Sequence, residues 1–163
     1  VGANPIPISD AAILVPLEIT LINSLSRIYE INKSEDSKKF INAIIETGTV
    51  GAVAVAKAIL EGLKLIPGLN IAASILNAVV AGSIVALLGE VTIYAFEQIY
   101  LGNKAVQDLD WIQKLMESKF TSQLPGIIKT IIEKITPNAD NKAIAKIIAD
   151  VLKVLFPAKE DKK

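Results

Sequence analysis

The chain has 163 residues, 52% hydrophobic and 21% charged, with 17 basic and 17 acidic side chains and neither cysteine nor histidine. That length suits one domain with a real core, and the missing residue types exclude disulfides, thiolate nucleophiles, the commonest zinc ligands and a histidine-based triad. Charge is mildly uneven, with six bases against nine acids through Gly102 and eleven against eight beyond it; without an arginine-rich, aromatic-interleaved patch, nucleic acid is not an expected partner.

Taken in order, Pro5 and Pro7 keep the first eight residues out of regular helix. Ser9 or Asp10 can cap a first helix running from about Asp10 to Ile31, which Pro16 should bend or whose true start it should mark. Ile13, Leu14, Leu17, Leu21, Ile22, Leu25 and Ile28 give that helix a broad apolar face, on which Glu18 is the only charge between Ala11 and Ser26. An unpaired carboxylate there would be costly to bury, so Glu18 is expected to be exposed or lysine-paired, with a functional buried carboxylate as the alternative.

The polar run 32–37 offers Ser34 or Ser37 as the cap of a second helix from about Lys38 to Leu65. Pro67-Gly68 turns the chain, and Asn70 can cap a third helix from about Ile71 to Leu101. No charge falls between Leu65 and Gly89, about the length that crosses a bilayer core as a helix. Small residues recur at four-residue spacing, Gly48, Ala52 and Ala56 on one arm and Ala78, Gly82 and Ala86 on the other. Such columns predict a close helical hairpin in lipid or in a soluble bundle, with Gly48 and Gly51 serving tight packing. They suit association within one chain or between copies, so a homo-oligomer is among the expected partners. Lys57, Glu61 and Lys64 interrupt the first arm and count against permanent insertion. Glu90 and Glu97 share a face of the third helix, where they either mark its emergence into water or form buried carboxylates.

Beyond Gly102-Asn103 a fourth helix is expected from Lys104 to about Lys119, with Trp111 packed on the bundle and Asp108 and Asp110 as solvent charges. Ser122 and Pro125 then open a fifth helix carrying Ile127, Ile128, Ile131, Ile132 and Ile135. Asp140 caps a sixth that is amphipathic and modestly basic, and the two form a short C-terminal hairpin. The expected architecture is all-α: a bundle of about six helices in a single domain, 1–157, with a frayed tail at 158–163.

Three segments carry a family resemblance: Ile6-Pro7-Ile8-Ser9-Asp10-Ala11, Leu14-Val15-Pro16-Leu17-Glu18-Ile19 and Ser26-Arg27-Ile28-Tyr29. Together they resemble the opening of the helical domain of unknown function numbered 697, found behind small-GTPase-like domains in bacteria and in some membrane-associated proteins. The resemblance implies an accessory domain that docks on a GTPase in cis or in trans through Ile6, Pro7 and Asp10, located in the bacterial cytoplasm or at a membrane. It extends more loosely through Gly102.

No Gly-x-x-x-x-Gly-Lys-Ser/Thr loop is present to cradle a nucleotide, no Gly-x-Ser-x-Gly elbow and no EF-hand-like loop, and the opening residues lack the basic region before an apolar run that marks a secretory signal. The chain is therefore expected to be no enzyme and to need no cofactor. Its expected role is a non-catalytic accessory domain coupling a GTPase to a membrane or protein partner. A membrane-inserting hairpin and a lipid-binding or apolar-ligand-binding bundle are the alternatives.

Overall fold

The computed structural model describes the backbone of residues 11–65, 71–136 and 138–157, and the side chains of those ranges from residue 16 onward. Ile6, Pro7, Asp10, the turn at 66–70 and the tail at 158–163 lie outside the described residues. The described residues form five helices and no strand: α1 Ala11–Ile28, α2 Glu35–Lys64, α3 Ala73–Tyr100, α4 Leu109–Lys134 and α5 Asn141–Leu155.

Local chemistry sets most of the boundaries. The Ser34 hydroxyl accepts from the Ser37 amide at 3.0 Å, with Glu35 and Asp36 in the positive first turn, so α2 starts three residues earlier than expected. Asp108 is no idle solvent charge: its carboxylate accepts from the Trp111 amide at 3.1 Å and starts α4 at Leu109 rather than Lys104. Asp140 caps α5 by accepting from the Ala143 amide at 2.7 Å.

The expected fourth and fifth helices are one. Pro125 removes a helical hydrogen bond, yet it is exposed, and Phe120, Leu124, Ile128 and Ile131 continue one buried stripe past it. Burial of that stripe outweighs the local proline cost, so the count is five helices.

Side-chain contacts orient the bundle. Phe40 of α2 meets Phe96 of α3 at 6.3 Å and Trp111 of α4 at 6.4 Å, forming an aromatic floor that Tyr29 joins at 6.0 Å from Phe96. Two turns along α2, Gly48 meets Leu88 and Met116. These paired contacts make α2 antiparallel to α3 and parallel to α4. The packing of α2 falls mainly on α4, and its contact with α3 is the slighter one.

That geometry corrects the expected close hairpin. Gly48, Ala52 and Ala56 are buried, but at Gly48 the column is a socket for the large side chains of Leu88 and Met116. On α3, Ala78 is exposed, Gly82 and Ala86 are half-buried, and a Cβ at Gly82 would lie 3.6 Å from Ile148 of α5. The buried face of α3 belongs instead to Val80, Ile84, Leu87, Leu88 and Val91. Gly51 has nothing within 4 Å of where its Cβ would stand, so close packing is not its role.

Candidate functional site

The seam between α1 and α3 is where the chain departs from ordinary packing. Leu21 of α1 lies 3.4 Å from the position a Cβ at Gly89 would take, and Tyr29 meets Phe96, so α1 runs parallel to α3. Glu18, Leu21, Leu25 and Tyr29 share one face of α1; Gly89, Thr92 and Phe96 share the facing stripe of α3. α1 touches α2 and α3 alone among the described helices.

Glu18 is 1% exposed and its Oε2 accepts no hydrogen bond. It is neither the exposed nor the lysine-paired carboxylate that composition favoured: α1 must bury Ile22 and Leu25, and helical spacing carries Glu18 in with them. Burial raises its carboxyl from 4.5 to about 7, with no neighbouring charge offsetting the effect.

Thr92 is also fully buried, and its hydroxyl has no partner. Elsewhere such hydroxyls find a local acceptor: Ser83 donates to the Val79 carbonyl at 2.7 Å, and Thr20 to that of Pro16 at 2.8 Å. Both partnerless buried side-chain oxygens among the described residues therefore lie on the helix faces that meet at this seam. Each costs about 1–3 kcal/mol while α1 is docked.

The other candidate carboxylates differ. Glu90 is exposed rather than buried, on the wall of an open groove of about 450 Å³ shared with Tyr94, Lys119, Gln123 and Phe156. Glu97 is half-buried beside the aromatic floor. What sequence reasoning missed is Thr92, a lone hydroxyl in an apolar helix with no local sign that its back-bond would be absent.

Among the described residues no group of three or more acids converges as a metal site. The seam offers a proton-binding carboxyl and an unsatisfied hydroxyl in apolar surroundings, an arrangement that can change state without catalysing anything.

Among the described residues two helices are long and apolar enough to cross a membrane, α2 and α3. They are buried differently: 28% of the most apolar stretch of α2 lies inside the fold, against 61% for α3. Val50 is 72% exposed and Leu65 82%, with Ala54, Ala58 and Gly62 exposed between them.

Residues 1–122 match the family model described as "Domain of unknown function (DUF697)". No curated protein and no solved structure matches the chain.

Proposed function

We propose, on the premise that this chain belongs to the domain of unknown function family DUF697, that it is a non-catalytic accessory domain which couples a GTPase domain, in cis or in trans, to a membrane surface. The observation that carries this reading is the exposed apolar face of distal α2, from Val50 through Ala54 and Ala58 to Leu65. Soluble helices of this length ordinarily bury such a face. Glu61 falls on this same face, between Ala58 and Leu65, with Lys57 and Lys64 along its side, which suits a helix lying at an interface better than one crossing it. The GTPase part of the proposal comes from the family resemblance and enters through the segment leading into α1.

Co-sedimentation of the purified, detergent-free chain with phosphatidylcholine–phosphatidylserine vesicles tests it. The chain is expected to pellet with lipid and to remain in the supernatant once Val50 and Ala54 are both replaced by aspartate. Wild-type chain left in the supernatant, or equal pelleting of the double variant, would refute this membrane-facing role. A membrane-inserted hairpin is the second reading, favoured by the hydropathy and length of α2 and α3. It predicts that bound chain resists extraction at alkaline pH, whereas a surface-bound domain is released.

A further inference from the structure

We propose that α1 is a proton-gated strap, docked on α2 and α3 while Glu18 is neutral and released from the α3 seam when that carboxyl ionises. The inference deepens the accessory reading above and rests on it only for the consequence of release, not for the switch itself.

Geometry supports the strap in three ways. First, the docked seam holds two buried oxygens without partners, Glu18 Oε2 and Thr92 Oγ1, so docking carries a standing penalty that undocking relieves through water. Second, α1 packs only on α2 and α3 among the described helices, and the α2–α4 and α3–α4 packing does not pass through it. Releasing α1 leaves that core in place. Third, α1 ends at a strained corner: Glu30 holds φ +56°, closing the helix with Ile31 N–H donating to the Ser26 carbonyl at 2.8 Å. A non-glycine residue there makes the corner the natural place for a hinge.

Glu18 is the one buried charged side chain among the described residues. Arg27 of α1 is exposed, as are Lys38, Lys39, Glu46 and Lys57 of α2 and Glu90 and Tyr94 of α3. Glu97 is half-buried next to Phe96, whose ring meets Tyr29, far along α1 from Glu18. The chain has no histidine.

The direction follows from linkage. The docked state holds the Glu18 proton up to about pH 7, whereas a hydrated carboxyl releases it near 4.5. Docking is therefore firmest in acid, weakens as pH rises between these values, and levels off above about 7. A pull on the segment entering α1 therefore works against weaker docking above neutrality than in acid. Release uncovers Gly89, Thr92 and Phe96 of α3. In the accessory reading, that newly exposed strip is what an attached GTPase would reveal or hide.

Amide hydrogen exchange on the full chain tests this without lipid or nucleotide, so its failure is separate from failure of the vesicle experiment. After correction for intrinsic exchange, the opening constant of amides in residues 17–28 should rise about 30-fold from pH 5.5 to 8.5, with amides in α4 unmoved. Glu18→Gln should flatten that rise. Thr92→Val should lower opening at every pH and leave the slope intact. A flat wild-type profile, a slope that survives Glu18→Gln, or α4 opening in step with α1 would each overturn the proposal. The wild-type slope needs no variant to fold.

Discussion

The α2–α4 seam and the α1–α3 seam are built from similar apolar residues and differ in the polar atoms they cover. In the first, Gly48 opens a socket that Met116 shares with Leu88 of α3, and Phe120, Leu124 and Ile128 extend a fully buried row beside it. In the second, the same kind of apolar stripe carries Glu18 and Thr92 inward, each with an oxygen that meets no partner. Hydrophobic periodicity alone cannot separate the two. What separates them is the pair of partnerless polar atoms covered at the α1–α3 seam.

The largest effect that would sharpen this contrast is Phe120→Ala, which leaves a cavity in the strong seam and should cost about 3–5 kcal/mol in denaturant unfolding. Replacing Glu18 with leucine should do the reverse at the weak seam. It should stabilise the chain by up to about 3 kcal/mol at pH 8.5, where ionisation of the native carboxyl opposes burial, and the pH-dependent part of that gain should vanish below pH 4.5. Equal gains at both pH values would show that the carboxyl is not titrating in the seam. Smaller effects come from glycine. Gly51→Ala should stabilise by up to about 1 kcal/mol, because nothing stands within 4 Å of the added methyl. Gly48→Leu should destabilise by about 1–3 kcal/mol through clash with Leu88 and Met116. Thermal melts of the two variants should move in opposite directions.

Two helix ends give the finest comparison. Gly102 and Glu30 occupy the same left-handed closing position, at φ +76° and +56° respectively, each with its helix's carbonyls satisfied by the following amides. Glu30→Gly should stabilise by about 1 kcal/mol, and Gly102→Ala should destabilise by a similar amount. Melting temperatures that move the same way would break the equivalence.

Much of the fold was legible because it is local. The caps at Ser34 and Asp140, the turn at Gly102 and the amphipathic pattern of α5 all follow from side chains near the element they define. The merger of two expected helices into α4 was not legible, because Pro125 is a local stop that only the tertiary burial of Leu124, Ile127 and Ile128 overrides. The small-residue columns misled for a related reason. Spacing shows that Gly48 and Gly82 each lie on a face, but not that α4 would take the place beside α2 and α5 the place beside Gly82. Glu18 was visible as an anomaly, and its burial depended on which neighbour covered it. Thr92 gave no sign at all, since a threonine in a helix usually donates to its own backbone.

The measurement that bears most directly on this account is the titration of the Glu18 side-chain carboxyl in the folded chain, followed by carbon-13 NMR with Glu18→Gln to assign the resonance. A midpoint near pH 7 is the expected result for a carboxyl buried in the α1 seam with its Oε2 partnerless. A midpoint near the ordinary 4.5 would mean that Glu18 is hydrated or paired in solution, and that α1 is neither strained nor gated by its proton.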